Sequence, residues 1–214
     1  MIFCIIGKTG VGKTTLAKSI SRNLHIPIIV SYTSRPKRKK EKDKEDYFFV
    51  DHGYFDEHKK EFIDIREYTV NNGEVWEYGI SKKQINKKKD YIAVVDTEGY
   101  KNLSKHFKTK ALIIDSYDDI IINRLSSRGD DPEEIQRRLE DDKAKIDDFM
   151  TSTSIDQRTI IYNNDSLISA EIDCAQSILM TLCDDSYRKS KRNSIFTTIC
   201  MIVSLLCFIF DLLL

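Results

Sequence analysis

The 214 residues of this chain suffice for one domain of ordinary size with additional segments. Hydrophobic residues make up 41% of the chain, so it can bury a core, and its three prolines and eight glycines exclude a disordered or low-complexity class. Basic and acidic residues balance at 34 each, so net charge predicts no nucleic-acid partner, and five scattered cysteines without metal-ligand spacing or a secretory signal predict a reducing cytosol.

The first predicted elements are a strand, a turn and a helix. Residues 1–6 are almost wholly apolar, as expected of a buried parallel strand. Glycines interrupt residues 7–14, and a helix is predicted next because Leu16, Ile20 and Leu24 recur four apart on one stripe. This order of elements is the local context that a phosphate-binding loop requires.

Strands and helices alternate along the rest of the domain. The further predicted strands span residues 27–30, 62–70, 74–80, 91–95, 111–114 and 159–162. The further predicted helices span residues 81–89, 118–128, 132–150 and 167–182, with one more between strands 91–95 and 111–114. Asn71, Asn72 and Gly73 suit a hairpin turn between two of the strands. The alternation predicts an α/β fold with a parallel sheet flanked by helices on both faces.

The segment GKTGVGKT at residues 7–14 matches the phosphate-binding pattern GxxxxGK[ST]. Glycines let the backbone wrap closely around a phosphate, so that successive N–H groups and the start of the following helix face the anion. Lys13 is expected to reach the β- and γ-phosphates, and the hydroxyl of Thr14 is expected to join the coordination shell of Mg²⁺. The motif predicts a P-loop NTPase sheet that binds a nucleotide.

Several further motifs are more specific than the P-loop. They are SYTSRPKR at 31–38, DYFFV at 46–50, YG at 78–79, DTEG at 96–99, RLSSRG at 124–129, RL at 138–139 and YNND at 162–165. In this order they resemble the guanylate kinases, a family of P-loop nucleoside monophosphate kinases, over about residues 1–182. The resemblance implies ATP-dependent transfer of a phosphoryl group to a nucleoside monophosphate, with GMP (or dGMP) giving GDP as the favoured reaction and ATP and Mg²⁺ as cofactors.

The resemblance also implies roles for individual residues. Catalysis is expected from Lys13, Arg128 and Arg138, and ATP contacts from Gly7, Gly10, Gly12, Lys13, Thr14, Thr15 and Asn163. Monophosphate contacts are expected from Ser31, Arg35, Arg38, Tyr47, Asp64, Glu67, Tyr78 and Asp96. Arginine forks and tyrosine hydroxyls are suitable groups for gripping a phosphate, and no general base is needed because the attacking group is already a phosphate oxygen.

The base pocket departs from the family pattern. Asp64 or Glu67 could supply the acid that accepts hydrogen bonds from guanine, and both remain candidates because the hairpin before Tyr78 is longer than usual. Ile80 and Val94 stand where the family has polar groups, so we expect looser base selection than in a typical member. The alternatives are a kinase for another (deoxy)nucleoside monophosphate, a non-catalytic membrane-bound guanylate-kinase-like interaction module, and a nucleotide switch.

The chain is predicted to have three parts. Residues 1–183 form the guanylate kinase-like domain, with a monophosphate-binding subdomain at about 32–80 and a lid at about 124–142. Residues 184–194 form a basic linker, and residues 195–214 hold an uncharged run of 16 residues that predicts a transmembrane anchor. Basic residues before this run favour a single-pass C-terminal anchor with the kinase domain in the cytoplasm, and hence the membrane as a partner.

Overall fold

A computed structural model describes residues 1–39, 41–69, 73–164 and 166–190. Its strands are β1 (Ile2–Gly7), β2 (Ile28–Ile29), β3 (Tyr32–Thr33), β4 (Phe48–Phe49), β5 (Phe62–Thr69), β6 (Val75–Ser81), β7 (Tyr91–Val94), β8 (Thr109–Asp115) and β9 (Arg158–Tyr162). Its helices are α1 (Lys13–Leu24), α2 (His52–His58), α3 (Thr97–Ser104), α4 (Asp118–Arg128), α5 (Pro132–Ser152) and α6 (Leu167–Ser190).

The central sheet has five parallel strands in the order β2-β7-β1-β8-β9. Side chains of β1 alternate between two cores, with Phe3 and Ile5 packed among residues of α1, α4 and α6. Cys4 and Ile6 lie in the second core, with residues of α3 and the end of α5. Since helices cover both faces, the central strands β1 and β7 lack charged residues, and the predicted α/β sheet flanked by helices is confirmed.

A second sheet has four strands in the order β4-β3-β6-β5. All four come between β2 and β7 in the sequence. Its long antiparallel hairpin, β5 and β6, pairs Arg66 with Tyr78 and Tyr68 with Trp76, as the predicted hairpin requires. Gly73 has a φ of 83°, which favours glycine in a turn. Asn71 and Asn72, the other predicted turn residues, lie outside the described residues.

The predicted helix at residues 81–89 is wrong. Only a single 3₁₀ turn, Lys82–Gln84, forms there. Gln84 uses its side chain to bind both backbone groups of Val30, at 3.1 and 2.8 Å, and the backbone of Asn86 donates to the Tyr91 hydroxyl at 3.0 Å. These tertiary contacts fix the segment to its neighbours, and a turn closed by the Lys89 N–H on the Asn86 carbonyl at 3.0 Å follows in place of a helix.

The last helix is longer than predicted. α6 runs to Ser190, beyond its predicted end at residue 182 and into the predicted linker. Its apolar side, including Ala170, Cys174 and Ile178, packs against the central sheet.

The predicted C-terminal transmembrane helix requires a correction. Among the described residues, no helix combines the length and the apolarity needed to cross a bilayer. Within the described part of the chain α6 is the longest helix, yet it carries four acidic residues, Glu171, Asp173, Asp184 and Asp185, that a bilayer core would reject. The fold class that the described residues support is therefore the α/β P-loop fold without the predicted transmembrane helix, and the single-pass membrane location that depended on the helix is withdrawn. Residues 195–214, on which the anchor was placed, lie outside the described residues.

Candidate active site

The carboxyl ends of β1 and β7 open into a cleft of about 410 Å³. The P-loop, the second sheet, the end of β7 and the helix α5 all contribute to its walls. The predicted site residues that line it are Gly7, Lys13, Ser31, Arg38, Tyr47, Glu67, Tyr78, Asp96 and Arg138. Parallel strands place their carboxyl ends at one edge of a sheet, which is where ligands of open α/β sheets bind.

The P-loop curls around the ammonium group of Lys13. Its Nζ donates to the carbonyl oxygens of Gly7 and Lys8, at 2.7 and 2.8 Å. Burial lowers the pKa of Lys13, and the nearby carboxylates of Asp142 and Asp96 only partly oppose this effect. A buried cation whose charged form is disfavoured is stabilised by an arriving anion, as a phosphate-binding lysine should be.

Gly12 lies at a point of close approach between the loop and Asn163. It precedes α1 with a φ of 100°, a conformation that side chains rarely adopt. A Cβ there would lie 2.7 Å from Nδ2 of Asn163, so the close approach also requires glycine.

Asn163 braces the loop from behind. It is buried, and its Nδ2 donates to the carbonyl of Val11 at 2.8 Å. Arg124 donates to the carbonyls of Asn163 and Val11, at 3.0 and 3.4 Å. Asn163 was predicted as an ATP contact, but the structure places it beneath the loop and outside the cleft lining, whereas Thr14 and Thr15 are exposed on the first turn of α1.

The Thr9 N–H of the P-loop already holds an anionic oxygen. It donates to Oδ2 of Asp142, on α5, at 2.6 Å. This contact demonstrates that the loop amides can receive a negatively charged oxygen, which is the chemistry that a nucleotide phosphate presents. The P-loop thus fits a nucleotide by its backbone as well as by its lysine.

Arg38 faces the cleft in a region of excess positive charge. Burial, followed by the neighbouring Arg35 and Arg128, lowers the pKa of Arg38, and the acids Glu41 and Asp130 offset this only in part. A bound phosphate would relieve that repulsion. Tyr47 and Tyr78 lie beside it, with ring centroids 5.9 Å apart.

Arg35 lies behind the part of the cleft that Arg38, Tyr47 and Tyr78 line. Its side chain is only 4% exposed and donates to Glu41 at 2.7 Å and to the carbonyl of Pro36 at 2.6 Å. Its guanidinium also lies 5.4 Å from the ring centroid of Tyr47. Glu41 in turn accepts from the backbone N–H of Arg38 at 2.8 Å. Arg35 therefore orders the segment that presents Arg38, and the structure does not place it in the cleft lining.

Arginines of the predicted lid segment form ion pairs with acids of the same segment. Arg137 and Arg138 share Glu134, and hydrogen bonds from them, opposed by burial, lower the pKa of Glu134 to about 2. Arg138 lines the cleft, whereas Arg128 is outside its lining and pairs with Asp130. Arg128 still lies near enough to Arg38 and Lys13 to disfavour their charged forms.

The two candidate acids for the base lie in different environments. The Asp64 side chain is 1% exposed, pairs with Nε of Arg66 at 2.5 Å and accepts from Nδ2 of Asn102 at 2.6 Å. Asp64 is outside the cleft lining, whereas Glu67 is exposed and lines it. Of the two apolar departures, Ile80 is buried in the core and Val94 lines the cleft.

The comparison with known families identifies this arrangement. A sequence model described as guanylate kinase matches residues 2–171 of the chain. The chain belongs to the guanylate kinase family. The predicted resemblance is thereby confirmed, and the chain is a nucleoside monophosphate kinase.

Individual guanylate kinases support this placement. The protein named guanylate kinase in Nitrosomonas europaea is 30% identical over 155 residues, which cover 68% of this chain and 75% of that protein. The guanylate kinase of Thermotoga maritima is 31% identical over 154 residues, covering 68% of this chain and 72% of that protein. The crystal structure of guanylate kinase from Anaplasma phagocytophilum shares the fold, with a TM-score of 0.60 and 21% identity over 82% of this chain and 81% of that chain.

Sequence reasoning missed several residues of this guanylate kinase family site. The unpredicted lining residues include Thr9, Arg66, Tyr68, Trp76, Arg137, Asp142 and Lys145. Two of them, Arg66 and Asp142, could have been found from the sequence pattern. Arg66 pairs across the hairpin with the recognised Tyr78, and Asp142 follows Arg138 by four residues on one helix face.

Proposed function

We propose that the chain transfers the γ-phosphoryl group of ATP to GMP, giving ADP and GDP, and that dGMP is an alternative acceptor. One observation carries the proposal: a single cleft is lined by the P-loop lysine Lys13, by Arg38 with Tyr47 and Tyr78, and by Arg138. Phosphoryl transfer between nucleotides needs little besides positioning and neutralisation of phosphate charge, and this lining supplies both.

ATP is assigned to the P-loop. The amides of residues 7–14 would hold its phosphates, as the amide of Thr9 holds the Asp142 carboxylate, and Lys13 would lie at the β- and γ-phosphates. The exposed hydroxyl of Thr14 is the group assigned to Mg²⁺. When bound, Mg²⁺ would supply further neutralisation of the phosphate charge. Gly7, Gly10 and Gly12 shape the loop, and Asn163 keeps it in place from behind.

The monophosphate is assigned to the opposite wall. Arg38 and the hydroxyls of Tyr47 and Tyr78 would grip its phosphate, and Arg35 would act by ordering their segment. Since the acceptor is a phosphate oxygen, no residue has to remove a proton in the usual sense.

Arg138 and Arg128 are assigned to the transferring phosphoryl group. Arg138 already lines the cleft, and we propose that residues 124–142 act as a lid whose closure brings Arg128 in as well. Closure against the subdomain at residues 32–80 would exclude water and so protect ATP from hydrolysis.

A kinase for another (deoxy)nucleoside monophosphate is the second candidate. The favouring observation is that Ile80 is buried in the core and Val94 offers only an apolar side chain to the cleft. The intact Lys13 and Thr14 disfavour a non-catalytic interaction module, because such a module needs no phosphate-transfer groups.

The test is a panel of GMP, dGMP, IMP and AMP with ATP and Mg²⁺, scored by the diphosphate formed. We expect turnover to be fastest with GMP or dGMP and weaker with IMP. Faster turnover of another monophosphate would favour the second candidate, and binding of ATP without any turnover would reject the kinase assignment.

A further inference from the structure

A buried cluster of charged groups forms one wall of the cleft. Arg66 of β5 lies between two carboxylates, Asp64 of its own strand and Asp96 at the end of β7. The hydroxyl of Tyr68, also on β5, donates to Asp96. The cleft's other cations come from the P-loop, the segment around Arg38 and α5, so this wall is the part suited to a base.

Asp64 is removed from the cleft by its partners. Arg66 Nε lies 2.5 Å from one oxygen, the amide of Asn102 donates to the other at 2.6 Å, and the side chain is 1% exposed. Arg66 is itself held in place by close packing, because a Cβ on Gly99 would lie only 3.0 Å from its Nη2. Moving Asp64 into the cleft would expose a buried ion pair to disruption, which is costly.

Asp96 presents the opposite situation, with a side chain that is 33% exposed and lines the cleft. Its Oδ1 accepts from Arg66 and from the Gly99 N–H at 2.8 Å, and its Oδ2 accepts from Tyr68. A carboxylate has about four acceptor positions. Three donors therefore leave one position, on Oδ2, for a ligand.

We propose that Arg66 is the positioning residue for base selection in this chain: it withdraws Asp64 and holds Asp96 with one open acceptor position for a base N–H. This inference rests on the proposed function and deepens it. A 6-oxopurine donates a hydrogen bond from its N1–H, whereas adenine has only an acceptor at N1. With one acceptor position, the cleft should separate GMP from AMP strongly and GMP from IMP only weakly, because IMP lacks only the 2-amino group.

The charge state of Asp96 depends on Arg66. Burial alone would raise the pKa of Asp96, but Arg66, Tyr68 and the Gly99 N–H together hold it below its usual value. Arg66 from β5 and Lys13 from α1 both interact with the charge of Asp96, and the Tyr68 hydroxyl lies beside them. The further charged residues that line this part of the cleft are Glu67, Glu98, Lys101 and Lys145. If Arg66 is removed, burial is less opposed, so the carboxylate should take up a proton at a higher pH than in the wild type.

The experiment compares Arg66→Met with Arg66→Lys and with the control Arg158→Met. Arg158 is a half-buried residue of β9 that lies outside the cleft lining, and its guanidinium donates to the carbonyl of Met150. For Arg66→Met we expect the KM for GMP to rise about 10- to 100-fold, the KM for ATP to stay within about twofold, and the preference for GMP over AMP to fall about tenfold. As the pH falls from about 8 to about 5, the KM for GMP should rise more steeply in this variant than in the wild type, in which only the GMP phosphate, with a pKa of about 6, is expected to change its charge. Arg66→Lys should recover part of the loss.

The outcomes separate the two proposals. A wild-type enzyme that uses no monophosphate would reject the proposed function and this inference together. Wild-type turnover with an unchanged GMP-to-AMP preference in Arg66→Met would reject only the inference. A loss shared equally by GMP, AMP and ATP, with a lower Tm and the same pH dependence as the wild type, would make Arg66 merely structural and also reject the inference. If Arg66→Met does not fold, Arg66→Lys provides the same comparison at reduced size.

Discussion

The P-loop and the hairpin wall of the cleft differ in how they hold their charges. The P-loop presents the ammonium group of Lys13 and backbone N–H groups that can donate to any suitable anion. The hairpin wall has already paired its charges, since Arg66 lies between Asp64 and Asp96. A phosphate is the same in every nucleotide, so a general backbone motif suffices for it. Bases differ in the groups that they present, so the wall that we assign to the base recognises it by side chains.

The largest expected effect on turnover comes from a substitution in the P-loop. Lys13→Ala removes the cation nearest to the assigned β- and γ-phosphates, and should lower kcat by about 10²-fold or more. The fold should survive, because the Lys13 ammonium bonds only to backbone carbonyls of its own loop. Steady-state kinetics measure the change in kcat, and a thermal melt tests whether the fold survives. A loss of less than about threefold would contradict the assigned role of Lys13.

Substitutions of Arg38 and Arg128 should affect different kinetic constants, because Arg38 is assigned to binding of the monophosphate and Arg128 to the reacting state. Arg38→Ala removes a cleft-lining guanidinium and should raise the KM for GMP about 10- to 100-fold with a smaller effect on kcat. Arg128→Ala removes a group that pairs with Asp130 outside the cleft lining, and should lower kcat with little effect on KM.

The matched control is Arg22→Ala, on α1, whose exposed guanidinium donates to the carbonyl of Lys18 and lies outside the cleft lining. It should leave both constants unchanged. Equal and small effects of Arg38→Ala and Arg128→Ala would place both residues on a solvated surface and remove the lid from the mechanism.

The same contrast explains what could be predicted from the sequence. The central sheet and the P-loop were predictable because apolar runs and the spacing of residues 7–14 are local signals. The role of Arg35 was not, because its engagement by Glu41 depends on how one loop folds back on itself. Asp64 was a natural candidate acid, and only the register of β5 against β6 and the position of α3 reveal that Arg66 and Asn102 cover it.

The smallest expected effect concerns the amide of Thr9, where the P-loop contacts a carboxylate of α5. The Asp142 carboxylate accepts from this amide at 2.6 Å and also faces Lys13. A nucleotide phosphate would have to displace that carboxylate or approach its negative charge. Asp142→Asn removes the charge with little change of shape, so the Kd for ATP should fall about three- to tenfold.

Asp141→Asn is the control for Asp142→Asn, since it makes the same change of charge on the same helix where the carboxylate binds Lys145 at 2.7 Å. Titration of each variant with ATP at two salt concentrations separates contact from general charge, because salt screens long-range repulsion more than a short contact. Asp141→Asn should change the Kd by less than about twofold. An equal gain in both variants would assign the effect to net charge, and weaker binding in Asp142→Asn would mean that Asp142 supports the loop instead of competing for it.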